Sequence, residues 1–224
     1  MHPSSSKQAM VVRPRGLLSL WQTLLKEAFG KGRNGLPLRL SPGDVGRWLE
    51  ENRFWGRKPE PEFLKQPWLN YDLLRWVEEF CPATVLEWGS GSSTLWFARL
   101  PARVVSIEHD PIWHEKVQRE AVRHGLDPVI RLQVSREGYQ AAARPEFGAS
   151  RPDLILIDGN WRAECLREAL DWIRKGAKAI FHDAQAEEHR PALHSLPAEF
   201  QKRESYGPCH GMKNFRGWAL IESR

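Results

Sequence analysis

The sequence predicts an α/β fold, a mostly parallel sheet with helices on both faces, preceded by an N-terminal helical extension. Three observations carry this. From residue 71 onward, short apolar runs alternate with amphipathic stretches at helical spacing, as successive βα units require. Two of the runs end in an acid: residues 84–86 lead to Glu87 and the turn Gly89-Ser90-Gly91, and residues 104–107 lead to Glu108, 21 positions further on. The excess positive charge is confined to the first 65 residues, which hold 12 Lys and Arg against 6 acids, leaving 21 against 22 in the remainder.

Taken in order, residues 1–15 are polar and read as a flexible leader. Leu17, Leu20, Trp21, Leu24, Leu25 and Ala28 recur at the spacing of one helical face, and Gly30 ends that helix. This helix is expected either to pack on the domain or to meet a membrane surface or a partner. A Gly, Pro and Arg-rich loop follows, then a short helix near 44–51 with Ser41 and Asp44 as candidate caps. Prolines and charges at 59–67 read as a linker, which places a domain boundary at 65/66. Beyond it a helix is expected over 71–80 and strands near 84–88, 103–107, 129–134, 153–158 and 177–182. Helices are expected near 93–100, 111–124, 137–143, 162–174 and 187–195. Residues 200–206 and 215–222 read as two closing strands, which makes seven in all.

In an open parallel sheet, ligands bind beyond the C-terminal ends of the strands, where strand order reverses. Glu87, Glu108, Asp158 and the pair His182-Asp183 all fall there. Glycines permit a sharp turn and close approach of a ligand to the backbone, and an acid after the second strand suits ribose hydroxyls. A dinucleotide fingerprint needs a third glycine at 94, where Thr stands. Hydroxyls at Ser92, Ser93 and Thr94 suit a carboxylate, and Glu87 suits an ammonium group. An amino acid joined to a ribose is S-adenosylmethionine.

Residues 84–110 resemble motif I and the following strand of the class I S-adenosylmethionine-dependent methyltransferases, with the acid-x-Gly-x-Gly pattern at Glu87, Gly89 and Gly91. The resemblance spans about residues 66–222. It is closest to a bacterial branch of poorly defined substrate that carries segments like Pro67-Trp68-Leu69-Asn70-Tyr71, residues 104–110 and residues 157–165. It implies a Rossmann-like seven-stranded sheet and S-adenosylmethionine as cofactor. On this reading Glu87 bonds the methionine ammonium, directly or through water, Gly89, Ser90, Gly91, Ser92, Ser93 and Thr94 form the turn, and Glu108 and His109 face the ribose. Ser135 is a weaker adenine contact.

Asp158 has four roles open to it: orienting the methionine moiety, binding a metal, acting as general base, or capping the following turn. His182 titrates near neutral pH and suits the removal of an acceptor proton, with Asp183 beside it. Metal-dependent O-methyltransferases resemble this arrangement at Asp158 and Asp183 but place Asn after the second Asp, where this chain has Ala184. A Mg²⁺ site on Asp158 and Asp183 is therefore left open, though incomplete. Trp161, Arg162, Tyr206 and His210 are expected to face the acceptor, with packing or a salt bridge as the plain alternative for Trp161 and Arg162.

Composition narrows the rest. Three widely spaced cysteines without a CxxC pair indicate neither a disulfide framework nor a thiolate zinc site, and a reducing cytoplasm fits them. No stretch approaches the ~20 apolar residues of a membrane span. The expected activity is O-methylation of a small molecule or glycan by a monomer or homodimer. RNA or protein methylation is one alternative, prompted by the basic extension, and a non-catalytic cofactor-binding scaffold is another. Residues 158–161 read Asp-Gly-Asn-Trp and lack an Asn-Pro-Pro-Tyr motif for base amino groups.

Overall fold

A computed structural model describes residues 17–53 and 67–224. The leader and, apart from Pro67, the linker lie outside the described residues. Strands β1 (Thr84–Trp88), β2 (Arg103–Glu108), β3 (Val129–Leu132), β4 (Leu154–Ile157), β5 (Lys178–His182), β6 (Phe200–Gly207) and β7 (Arg216–Ser223) form one sheet in the order β3-β2-β1-β4-β5-β7-β6. The first five are parallel, and β7 runs antiparallel to both β5 and β6. Strand order reverses between β1 and β4, so the ligand side of the sheet lies at the tips of these two strands.

Side chains alternate across the sheet with a period of two. On one face Leu86, Trp88, Ile155, Ile157 and Phe181 pack against helix α7 (Arg162–Arg174) through Cys165, Leu166, Ala169 and Ile173. On the other, Val85, Leu154, Leu156 and Ile180 pack against α3 (Tyr71–Phe80) through Leu73 and Val77, and against Phe97 of α4 (Ser92–Phe97). Both faces being covered, β4 reads Leu-Ile-Leu-Ile and is buried throughout. Helix α5 (Pro111–Arg123) begins at Asp110, whose carboxylate accepts from the amides of Ile112 (2.8 Å) and Trp113 (3.1 Å).

The expected helix over 137–143 is instead a 3₁₀ turn at Gln140–Ala143 running into the short α6 (Arg144–Phe147), because Pro145 has no amide hydrogen for an α-helical bond. The expected helix over 187–195 contracts to α8 (Arg190–His194), with Pro191 in its first turn.

The extension packs on the far end of the sheet. Helices α1 (Leu17–Phe29) and α2 (Pro42–Arg53) flank an irregular segment that pairs with the β6 edge: the Tyr206 amide donates to Pro37 O and the Arg39 amide to Tyr206 O, both at 2.8 Å. Leu24, Leu36 and Trp48 join the core cluster of the first sheet face. Ser41 caps α2, accepting from the Asp44 amide at 3.1 Å, whereas Asp44 itself grips Arg75 at 2.5 and 2.8 Å. The single apolar face read for α1 divides: Leu20, Leu24 and Ala28 are buried, while Trp21 and Leu25 point outward with Leu18 and Phe29.

Glu27 of α1 ties the extension to the closing hairpin, accepting from Tyr206 Oη (2.8 Å) and the Phe215 amide (3.0 Å). Its replacement by Ala leaves both donors without their carboxylate partner. Urea unfolding of Glu27→Ala is expected to show a midpoint lowered by the equivalent of about 1–3 kcal/mol with an unchanged slope.

Candidate functional site

The tips of β1, β2 and β4 enclose a cleft of about 330 Å³. Gly89, Ser90, Gly91, Ser92 and Ser93 form one wall, Glu108, His109 and Asp110 a second, and Asp158, Gly159, Asn160 and Arg162 a third, with Trp68 and Trp113 closing the rim. Sequence reasoning passed over Trp68, Asp110, Trp113, Gly159 and Asn160. The Trp113 indole N–H donates to Ser90 O at 2.7 Å, which ties α5 to the glycine turn. Its signal in the sequence was its place three residues beyond the capping Asp110.

Glycines 89 and 91 do different work. Gly89 has φ +99°, and a Cβ there would fall 2.5 Å from the Gly159 Cα, so the tips of β1 and β4 touch through two glycines. Gly91 is extended at φ 178°, and a Cβ on it would meet nothing closer than the Trp113 indole nitrogen at 4.0 Å. Gly89 is needed by the fold, and Gly91 leaves room in the cleft.

Glu87, expected at the methionine ammonium, is turned inward and does not line the cleft. Its carboxylate is fully buried and accepts hydroxyl bonds from Ser93, Thr94 and Ser106, the last at 2.8 Å. Thr94 Oγ1 in turn accepts from the Gly91 amide at 2.8 Å. Thr94 too is therefore a structural part of the turn and not part of the cleft wall. Burial pushes the Glu87 carboxyl up to about 7, against the three hydroxyls, which favour the charged form.

Glu108 does reach the cleft. One carboxylate oxygen accepts from the Ser90 amide (3.0 Å) and the other from the amides of His109 (2.8 Å) and Asp110 (2.9 Å). Three backbone donors hold it in place. His109 lies beside it, with Nδ1 2.8 Å from Glu108 and Nε2 2.7 Å from Asn160 Nδ2.

At the tips of β4 and β5 the arrangement is denser. Arg162 donates from Nε to Gly159 O (2.9 Å), from one terminal nitrogen to His182 O (2.6 Å) and Asp183 (3.1 Å), and from the other to Asp158 O (2.8 Å), with that last nitrogen also forming an ion pair at 3.0 Å from Asp158 Oδ1. Arg162 is thus a brace across β4 and β5, and the salt bridge stands in place of an anchor for an anionic substrate.

His182 is buried, with Nδ1 3.0 Å from Asp158 Oδ1 and Nε2 3.3 Å from Asn70 Oδ1. The Asn70 amide nitrogen donates to Gly207 O and Arg216 O, which fixes its oxygen toward the histidine. Both ring nitrogens therefore face acceptors, the arrangement that suits an imidazolium. Burial opposes that charge, but Asp158 outweighs it as neighbouring charge and hydrogen-bond partner and raises the His182 pKa above its usual value. His182 does not line the cleft, and its two ring nitrogens face Asp158 and Asn70.

Asp183 sits in the left-handed region at φ +57° and lies outside the cleft. Burial works against its charge, but His182, Arg162, Arg216 and the Gln185 hydrogen bond outweigh it and hold the carboxyl well below the usual range.

Asp158, His182 and Asp183 bring ligand atoms within 4.8 Å of one another, the grouping a divalent cation could use. The charges do not fit one. Arg162 bonds both carboxylates, Arg216 lies 3.4 Å from Asp183, and His182 faces Asp158, so the two acids are already neutralised.

Four other expected residues lie away from the cleft wall. Trp161 begins α7 in the left-handed conformation and packs edge-on against His109 and Tyr139. Ser135 closes an exposed turn, donating to Glu137 O at 2.8 Å. Tyr206 is buried on Glu27, and His210 packs at a tilt against the Tyr71 ring with its Nδ1 3.4 Å from Glu51.

The strand order, the closing antiparallel β7 and a cleft at the β1/β4 switch point together define the class I methyltransferase fold. Residues 86–184 match the family model for a methyltransferase domain. Over 123 residues it is 35% identical to the transmembrane O-methyltransferase of Homo sapiens, covering 52% of this chain and 42% of the human protein. The protein of the same name from Pan troglodytes matches with the same identity and coverage. The chain thus spans less than half the length of the curated relatives it matches. Among solved structures, an O-methyltransferase from Bacillus cereus in complex with SAH superposes with a TM-score of 0.54 at 17% identity, covering 96% of this chain and 94% of that one. TomG, an O-methyltransferase from Streptomyces achromogenes solved with SAM, gives 0.54 at 18% identity, covering 83% and 91%. These two show the fold.

Three outcomes follow. Gly89→Ala is expected to lower stability by at least about 2 kcal/mol, through left-handed strain and the contact with Gly159. Gly91→Ala should melt near the parent temperature while losing nucleoside affinity in calorimetric titration. Glu87, with a folded pKa near 7 against 4.5 unfolded, binds a proton more tightly when folded. Its effect is a loss of stability as pH rises from about 4.5 to 7, by roughly 3 kcal/mol. Chemical unfolding of Glu87→Gln across that window should show a flatter profile than the parent.

Proposed function

We propose that this protein is an S-adenosylmethionine-dependent O-methyltransferase acting on a small-molecule or glycan hydroxyl. The observation that carries the reading is Glu108, held by three backbone amides at the tip of β2 with its carboxylate at a cleft whose opposite wall is the glycine turn. A carboxylate so placed suits the paired hydroxyls of a ribose. Ser90, Gly91, Ser92 and Ser93 would hold the amino-acid end, and the Trp113 indole closes over the turn. The cofactor, when bound, supplies an electrophilic methyl group.

The chain's own task is then to align the acceptor and manage its proton. Asp158 is the residue for this. His182 and Arg162 both bind its Oδ1, which fixes the carboxylate plane and leaves Oδ2 as the oxygen that can accept from an acceptor hydroxyl at the cleft. His182 and Asp183 act through Asp158 and Arg162 as positioning residues. The neutralised acids favour methyl transfer without a metal ion. The names of the matched relatives support oxygen as the methylated atom. Among the described residues no helix is long and apolar enough to cross a membrane. We place the protein in the cytoplasm, as monomer or homodimer, on its free cysteines.

Calorimetric titration with S-adenosylhomocysteine should give micromolar binding that weakens about 10–100-fold in Glu108→Ala, the worth of charge-assisted bonds to a ribose. Absence of binding to a folded parent protein would sink the methyltransferase reading. Turnover is expected to be indifferent to chelation, and Mn²⁺ titration should show no site in the parent protein. Activity that collapses in EDTA and returns with Mg²⁺ would refute the metal-free arrangement. Arg162→Ala, which releases Asp158 and Asp183, is expected to gain a divalent-cation site.

A further inference from the structure

Helix α1 carries a second apolar face that the domain does not use. Leu18, Trp21, Leu25 and Phe29 recur at i, i+3, i+7 and i+11, a spacing that lines them along one side of a helix. They are 74%, 51%, 53% and 81% exposed. The adjoining side, Leu20, Leu24 and Ala28, is buried in the fold and anchors the helix, with Glu27 bound to Tyr206 and Phe215. The outward stripe is therefore displayed on a fixed support, and its size and continuity set it apart from singly exposed apolar side chains.

Charge decides what would cover such a face. Residues 1–40 contain seven basic residues (Lys7, Arg13, Arg15, Lys26, Lys31, Arg33 and Arg39) and one acid, Glu27. That acid is engaged inside the fold by Tyr206 and Phe215. The apolar stripe thus belongs to a stretch of net charge +6. A second copy of the chain would bring the same positive charge against itself. An apolar partner without acids would leave it unanswered. A bilayer containing anionic lipid answers both features, taking Leu, Trp and Phe side chains into the boundary between headgroups and acyl chains while its surface potential attracts Lys and Arg.

We propose that α1 docks this protein on anionic membrane surfaces, lying in the interface plane through Leu18, Trp21, Leu25 and Phe29. The inference is independent of the reaction assigned to the cleft, since no residue of α1 lines it. Docking of this kind holds the enzyme at a surface without a spanning segment, and it is reversible because it combines one apolar stripe with screened electrostatics.

The test is flotation of the full chain with vesicles of phosphatidylcholine alone and of phosphatidylcholine with 30% phosphatidylserine, at low and at 0.5 M salt, an assay composition of about the anionic content that gives a strong surface potential. Binding is expected to the anionic vesicles, to fall about tenfold or more in high salt, and to fall at least about tenfold in Leu25→Glu/Phe29→Glu. Lys26→Gln should weaken it by less. The substituted positions face solvent, so melting temperature and nucleoside binding should match the parent and would expose a folding defect. Equal absence of binding to both vesicle types overturns the proposal. A sedimentation-measured dimer that dissociates in the double variant, without vesicle binding, overturns it in favour of a second copy. Equal binding to neutral and anionic vesicles, insensitive to the double variant, overturns the role of α1.

Discussion

The cleft depends on a buried carboxylate. Glu87 stands at the end of β1, in the middle of the sheet, and gathers hydroxyls from α4 and β2 onto its two oxygens. Leaving a charge there without partners would cost several kcal/mol, so the three hydroxyl residues and the acid are mutually obligatory. Their convergence fixes the distance between the glycine turn and β2, and hence the position of Glu108, whose carboxylate is gripped by amides from both sides of that gap. One acid shapes the wall, and the other presents itself to the ligand.

The β4–β5 half of the cleft follows the same logic with opposite sign. There the organising group is a cation, Arg162, and the groups it gathers are two carboxylates and three carbonyl oxygens. A guanidinium is planar, carries its charge at any accessible pH and offers five donors in a fixed fork, so it can hold several oxygens at once where an ammonium could hold three. The left-handed backbone at Asp183 and Trp161 is tolerated within this frame, since both residues are bound at the ends of the elements Arg162 ties together.

Much of this was legible in the sequence, because periodicity and strand-end chemistry are local. The parallel strands, the closing pair, the glycine turn and Glu108 all declare themselves within a few residues of chain. The errors arose where a role depended on direction. An acid at the end of a strand points to either face, and nothing near Glu87 in the sequence says that Ser106, 19 positions away, offers it a third hydroxyl. His182 looked like a base because the Asn70 that closes its second nitrogen comes from a helix start 112 residues earlier. Tyr206 and His210 looked like acceptor contacts because the extension that holds them, through Glu27 and Glu51, is remote in sequence. The two outward residues of α1 were read with the inward ones because all lie in one broad stripe, and helical spacing alone does not say which part of it the domain covers.

The support beneath Trp68 gives the cleft a divided ancestry. The tryptophan at the rim is flanked by Leu69, whose carbonyl accepts from the His210 amide at 2.9 Å, and the loop bearing His210 is itself held by α2, through Trp48 on Met212 O at 3.1 Å and Glu51 on the Gly211 amide at 3.1 Å. None of these residues falls within 86–184, the part that matches the methyltransferase family model. The glycine-turn half of the cleft thus falls inside the segment that matches the family model, and this side of its rim outside it. Two enzymes alike across the shared segment can hold the same nucleoside and yet admit molecules of different shape, so kinship measured over that segment speaks to the gift and not to its recipient.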